Sequence, residues 1–121
     1  MTRSILLVED TEDLGEILVD ILKSAGYQVS WAMNGLQGAA YFKEQHPDLV
    51  ITDWVMPHMD GLELITKIRA DEHAGRIPVI LLSAKATPDD IEIGLNAGAS
   101  LFLKKPCTSQ VLLKSVHDLL N

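Results

Sequence analysis

Five short apolar runs, Ile5 to Val8, Val29 to Ala32, Leu49 to Thr52, Val79 to Leu82 and Leu101 to Leu103, punctuate the chain, and each is followed by a stretch long enough for a helix. Near-continuous apolar strands such as Ile5-Leu6-Leu7-Val8 are buried on both faces, which is the condition of a parallel sheet covered by crossover helices. The pattern therefore predicts an α/β fold of five strand-helix units, wound on both sides of one sheet. With 121 residues, 47% of them hydrophobic, the chain is long enough for one well-buried core and too short for two ordinary domains. A single domain over residues 1–121 is the expected organisation.

The segments between the strands carry helix signals. Leu14, Ile17, Leu18, Ile21 and Leu22 recur at threes and fours, which predicts one shared face, and Gly26 stops that helix. Asn34-Gly35 opens a second helix that closes at His46-Pro47, and Leu62, Ile65 and Ile68 mark the inner face of a third. Thr87-Pro88-Asp89-Asp90 reads as an N-cap, a proline at the first helical position and two acids on the positive end of the helix dipole. The fourth helix thus starts near Pro88. Only Ile91, Ile93 and Leu95 are strongly apolar in it, and Gly94 costs about 1 kcal/mol relative to Ala, so it is expected to be the least firmly anchored. The fifth begins after Thr108-Ser109 and packs through Leu112, Val116, Leu119 and Leu120.

Charge and cysteine content remove several classes of function. Seventeen acidic residues against ten Lys plus Arg give a net charge of -7, which the phosphate backbone of nucleic acid and anionic lipid both repel, so direct binding to either is not expected. A single cysteine, Cys107, allows no internal disulfide and, with four scattered His residues, no zinc site; a reducing, intracellular setting fits. The longest apolar runs fall far short of the roughly 20 residues that span a bilayer. Met1 to Val8 also lacks the apolar region and cleavage site of a signal peptide, which makes the cytoplasm the expected location.

In doubly wound sheets ligands gather at the carboxyl ends of the strands. Glu9 and Asp10 follow strand 1, Asp53 ends strand 3, Ser83 ends strand 4 and Lys105 follows strand 5. Carboxylates drawn together repel and rise in pKa unless a cation neutralises them, and hard oxygen ligands suit Mg²⁺. Taken singly, each acid reads equally well as a cap on the next helix, with Asp10 or Thr11 capping the first. Capping does not account for Ser83 and Lys105 arriving at the same rim from two other strands. A carboxylate, a metal, a hydroxyl and an ammonium together compose a phosphoryl-transfer site, in which the carboxylate attacks and the cations stabilise spread oxygen charge.

The chain resembles the receiver domains of two-component response regulators along essentially its whole length. The matching pieces are Leu7-Val8-Glu9-Asp10, Pro47 to Asp53, Met56-Pro57 with Met59-Asp60-Gly61, Pro78-Val79-Ile80 to Ser83-Ala84, Ala97-Gly98-Ala99 and Lys105-Pro106, in the right order and spacing. The resemblance implies a flavodoxin-like sheet of order 2-1-3-4-5, as in the chemotaxis member of the family. It implies that Asp53 is the phosphoacceptor, that Asp10, Asp53 and the backbone carbonyl of Val55 hold Mg²⁺, and that Glu9 acts largely through water. Ser83 and Lys105 then bind the phosphoryl oxygens, with a cis Lys105-Pro106 peptide aiming the ammonium. The implied donor is a sensor histidine kinase or a histidine phosphotransfer protein.

The same resemblance bears on output. Phe102, three residues before Lys105, stands where the family has its switch aromatic: Ser83 moves toward the phosphoryl group, Phe102 turns into the space, and the face of helix 4, strand 5 and helix 5 changes for a downstream protein. Ser100 and Leu101 replace the acids usual before that aromatic, and Val111 and Ser115 replace an acid and an Arg on helix 5, so the salt-bridged dimer of OmpR-type regulators is not expected. A largely monomeric chain is. Val55 and Lys85 occupy the positions that line the path of the hydrolytic water; Val55 offers it no hydrogen bond, and Lys85 can lie across the phosphoryl group. Trp54 reads as a packed aromatic, Met56, Pro57 and Met59 as the shaping of the loop, Cys107 as an apolar filler, and the four histidines as non-catalytic.

Other readings fit less well. A haloacid-dehalogenase enzyme needs a second acid two residues beyond its aspartyl nucleophile, where this chain has Val55, so turnover is limited to self-phosphorylation and slow self-dephosphorylation. A flavodoxin-like nucleotide binder needs a Gly- or Ser/Thr-rich phosphate loop after strand 1, where Glu9-Asp10-Thr11-Glu12-Asp13 repels phosphate. A degenerate receiver used only as a surface would have lost one of the site residues. The sequence leaves open a stand-alone regulator, a receiver cut from a larger regulator or hybrid histidine kinase, and a phosphate sink without its own output.

Overall fold

A computed structural model describes residues 2–121. Its elements alternate without exception: β1 (Ser4–Val8), α1 (Glu12–Ser24), β2 (Gln28–Ala32), α2 (Gly35–Gln45), β3 (Leu49–Asp53), α3 (Gly61–Arg69), β4 (Val79–Ser83), α4 (Pro88–Ala97), β5 (Leu101–Lys104) and α5 (Ser109–Leu120). The strands form one parallel sheet of order β2-β1-β3-β4-β5, the doubly wound arrangement anticipated. Successive side chains of a strand point to opposite faces, and the core divides accordingly. Leu6, Val8, Val50, Val79 and Leu81 pack with Phe42, Leu64, Ile65 and Ile68. Ile5, Leu7, Ile51, Ile80 and Leu82 pack with Leu18, Leu22, Leu112, Val116 and Leu120.

Helix ends follow the capping residues. Asn34 accepts from the Gln37 N–H, Asp60 from Glu63 and Thr108 from Val111, while Thr11 begins α1 with no side-chain cap bond. Two inner faces differ from expectation. Ile17 is 55% exposed, because it lies about 100° around the helix from Leu18, the centre of the buried stripe that Gly15, Leu18 and Leu22 form. On α3, Gly61, Leu64, Ile65 and Ile68 are buried and Leu62 packs only partly, on the shoulder of that stripe. At the end of the sheet away from the carboxyl rim, Arg69 ties loops together, donating to the carbonyls of Gly75, Ile77 and Gly98. No helix among the described residues is long and apolar enough to cross a membrane.

Helix α4 is the thinly anchored one. Gly94 is its only fully buried residue, and Ile93 and Leu95 are exposed. Its start is instead secured by a reciprocal capping box: the Asp90 N–H donates to Thr87 Oγ1 and the Thr87 N–H to Asp90 Oδ2, each at 3.1 Å. The bonds to Thr87 hold the Asp90 carboxyl below its ordinary 3.8. A depressed carboxyl contributes stability that is present above 3.8 and lost as pH falls through the folded value. Thr87→Ala is therefore expected to cost about 1 kcal/mol in urea denaturation at neutral pH, to speed amide exchange across α4, and to flatten the acid-side decline. Unchanged exchange in α4 would show that the cap does not hold it.

Candidate functional site

Strand register brings the polar residues to one rim. Val8 lies between Ala32 and Thr52, Asp53 pairs with Leu82, and Ser83 pairs with Lys104, so the residues that follow β1 and β5 converge on the end of β3. Just past β1 the Glu9 N–H donates to the Ala32 carbonyl at 3.0 Å, which continues the β1–β2 ladder. The Thr11 N–H donates to Glu9 Oε2 at 3.1 Å and turns the carboxylate inward, leaving Glu9 1% exposed. Its other oxygen, Oε1, accepts from Lys105 Nζ at 2.9 Å.

Lys105 Nζ also lies 2.9 Å from Asp53 Oδ2. Its approach is set by its own backbone N–H, which donates to the Ser83 carbonyl at 2.9 Å, and the Lys105-Pro106 peptide is cis. Asp53 Oδ1 accepts from the Trp54 N–H at 2.7 Å, so both carboxylate oxygens are held. The loop that follows folds back tightly: the Gly61 N–H donates to the Trp54 carbonyl at 2.8 Å, and a Cβ at Gly61 would collide with the Asp53 carbonyl oxygen. Met56 and Met59 are buried in this loop, and the Val55 side chain points to solvent.

Glu9, Asp10 and Asp53 each offer a carboxylate oxygen, and these oxygens lie within 4.8 Å of one another. Three carboxylates facing one ammonium leave an excess of negative charge with the oxygen chemistry of a hard divalent cation site. Partial burial, reinforced by the neighbouring Glu9 carboxyl, pushes the Asp10 carboxyl above its ordinary 3.8 against the opposing pull of a backbone hydrogen bond and Lys105. Burial works against the Lys105 charge, but its bonds to Asp53 and Glu9 outweigh this and hold the ammonium above its ordinary 10.5.

Ser83 is buried at the end of β4, and its Oγ accepts from the Lys85 N–H at 2.9 Å. The Lys85 ammonium rests 4.5 Å from the centroid of the Trp54 ring. Trp54 is buried, as a packed aromatic should be, and meets half-buried Phe102 edge to face at 6.3 Å between centroids. His46, His58, His73 and His117 are all exposed, His58 in the loop after β3, and burial raises the half-buried Cys107 thiol above its ordinary 9.0. One site contact escaped the sequence reading. The Trp31 indole Nε1 donates to the Glu9 carbonyl at 2.9 Å. The available signal was a bulky aromatic near the end of the strand that the 2-1-3-4-5 order puts beside β1.

Comparison with known proteins agrees with this geometry. The family model described as "Response regulator receiver domain" matches residues 5–117. The phosphate regulon transcriptional regulatory protein PhoB of Pseudomonas aeruginosa is 33% identical over 118 residues, which are 98% of this chain and 52% of that one. The chain thus spans about half the length of the curated relatives it matches. Among solved structures, the signal receiver domain of a signal transduction histidine kinase from Syntrophus aciditrophicus is 38% identical at a TM-score of 0.91, covering 98% of this chain and 90% of that one. The receiver domain of the sensor histidine kinase PA1611 from Pseudomonas aeruginosa, described with a magnesium ion coordinated in its active site cleft, is 32% identical at a TM-score of 0.92, covering 99% and 98%. A doubly wound fold with an acid cluster at its switch point is the receiver class, and this chain belongs to the response regulator receiver domain family. It is a phosphoacceptor module of two-component signalling.

The raised Asp10 carboxyl gives a testable sign. A group whose folded pKa is raised contributes stability below its unfolded value and loses it as pH rises through the folded one, so at neutral pH the Asp10 charge weakens the metal-free fold. Asp10→Asn is expected to raise stability in a chelating buffer at neutral pH by less than about 1 kcal/mol, the charge being partly exposed and screened. Below 3.8 the gain should vanish. A loss of stability at neutral pH would show that burial and the Glu9 carboxyl do not weigh against the Asp10 charge.

Proposed function

We propose that the chain acts as a single cytoplasmic receiver domain in which Asp53 accepts a phosphoryl group from a sensor histidine kinase or a histidine phosphotransfer protein. The observation that carries this reading is the Lys105 ammonium held at 2.9 Å by both Glu9 and Asp53. It is an electrophilic partner already seated on the carboxylate that attacks. An Asp53 oxygen forms the new bond to phosphorus, and the donor nitrogen leaves with the electron pair of the bond that breaks. The Lys105 ammonium and the Ser83 hydroxyl then take the phosphoryl oxygens, while the Trp54 N–H and Lys105 fix the plane of the Asp53 carboxylate.

The donor set of Glu9, Asp10 and Asp53 fits Mg²⁺, with Asp10, Asp53 and the Val55 carbonyl as ligands and Glu9 acting through water. When bound, Mg²⁺ supplies the neutralising charge that lets an anionic phosphoryl group approach the carboxylates. Turnover is limited to self-phosphorylation and slow self-dephosphorylation. In signalling, Ser83 closes on the phosphoryl group and Phe102 turns inward, reshaping the face of α4, β5 and α5 for a downstream protein. The -7 charge argues against direct contact of this chain with nucleic acid. A second reading, a receiver working within a larger regulator or hybrid histidine kinase, is favoured by the half-length match to PhoB and the likeness to two histidine kinase receivers.

With Mg²⁺ and acetyl phosphate, intact-mass measurement is expected to show one added phosphoryl group on the chain, and none on Asp53→Asn or in a chelator. Phosphorylation of Asp53→Asn at the wild-type rate would remove Asp53 from its role. Sedimentation with beryllofluoride, a phosphoryl mimic, is expected to find a monomer, and crystals of that state a turned Phe102. A tight dimer burying α4 and α5, or one unchanged Phe102 rotamer, would overturn the partner-recruiting switch.

A further inference from the structure

The acid cluster is aimed from outside itself, by residues of β2 and α1 that carry no charge. Glu9 has every hydrogen-bonding group engaged: its N–H with the Ala32 carbonyl, Oε2 with the Thr11 N–H, Oε1 with Lys105 Nζ, and its carbonyl with the Trp31 indole Nε1 at 2.9 Å. The last of these has a consequence for the next residue. The Glu9 carbonyl belongs to the rigid peptide plane that leads into Asp10, so whatever fixes that oxygen fixes the direction in which the Asp10 side chain leaves the backbone. Trp31 is partly buried and reaches the turn because its ring is seated on α1 at Gly15. A Cβ there would overlap ring atoms Cζ2 and Cε2. Glycine is a poor residue for the interior of an apolar helix face, and the ring that occupies its missing side chain explains it.

We propose that Trp31, seated on Gly15, is a positioning residue for the divalent-cation site: its indole N–H sets the Glu9-Asp10 peptide plane and through it the Asp10 carboxylate. The proposal rests on the reading that Asp10, Asp53 and the Val55 carbonyl hold Mg²⁺, with Glu9 acting through water. Trp31 acts through the Glu9 backbone carbonyl and is not itself a ligand in this reading.

Calorimetric titration of the folded chain with Mg²⁺, alongside thermal unfolding in chelator, tests it. Trp31→Phe keeps an aromatic ring and removes the N–H; it is expected to weaken Mg²⁺ binding about three- to tenfold, the worth of one buried hydrogen bond. Gly15→Ala keeps the N–H and displaces the ring, and should weaken binding to a similar extent, yet add nothing further when combined with Trp31→Phe. Should either single variant not fold, the other decides. Mg²⁺ affinity unchanged in a folded variant while its melting temperature falls would make Trp31 a packing residue only and overturn the proposal. Mg²⁺ binding by the wild type that Asp10→Asn leaves untouched would instead overturn the metal-site reading, and the proposal with it.

Discussion

The ammonium of Lys105, lodged between Glu9 and Asp53, is the interaction on which the rest of the rim depends. Two like unit charges about 4 Å apart repel by about 4 kcal/mol at near-surface screening. Three carboxylates within 4.8 Å make three such pairs, and a single ammonium at 2.9 Å from two of them makes two compensating ones, so repulsion is reduced without being cancelled. Asp10 is the carboxylate outside the two short Lys105 pairs, and partial burial first, then the neighbouring Glu9 carboxyl, raises it. The sheet end thereby carries an excess of negative charge together with the oxygen chemistry that suits a hard cation.

That arrangement is only as good as the strand register beneath it. Side chains alternate across the sheet, so a one-residue slip of β5 against β4 would carry Lys105 to the opposite face. The Lys105 N–H bond to the Ser83 carbonyl and the Ser83–Lys104 pairing hold that register at its last step. On the other side of Asp53, the crossover that makes β1 and β3 neighbours puts Val8 against Thr52, so Glu9 follows β1 where Asp53 ends β3. The buried apolar residues of both faces, Leu6 and Val50 on one, Leu7 and Ile51 on the other, are what make any other register costly.

Much of this was legible in the residues. Apolar runs of strand length, Asn34, Thr87 and Thr108 before their helices, and Gly26 after one, announced the element order, because each signal is local and acts through its own backbone. The five rim residues were legible as a set because they follow strands, and strand ends in a parallel sheet share an edge. What sequence spacing could not show was which of several apolar positions faces inward. Ile17 and Leu62 fit the helical period as well as Leu64 does, and only the neighbouring elements decide that the first is exposed and the last is buried. The Trp31 bond to Glu9 was hidden for a related reason: it joins residues 22 positions apart through a side chain whose reach depends on the missing Cβ of Gly15.

The path from the rim to the surface is short and made of contacts with two obvious arrangements. Trp54 donates its N–H to Asp53, Lys85 donates its own to Ser83, and the Lys85 ammonium lies over the Trp54 ring, so the ends of β3 and β4 are joined a second time above the sheet. Trp54 in turn meets the edge of Phe102, and Phe102 lies beside Gly94, close enough that a Cβ there would press on its ring. A cation on an aromatic face at an exposed site is worth about 0.5–1 kcal/mol, so this second link is weaker than the charge-assisted pairs that Lys105 makes below it. Phe102 and the lightly held α4 behind it are the next groups in that line of contacts, so the rim and the most thinly anchored helix are packed continuously.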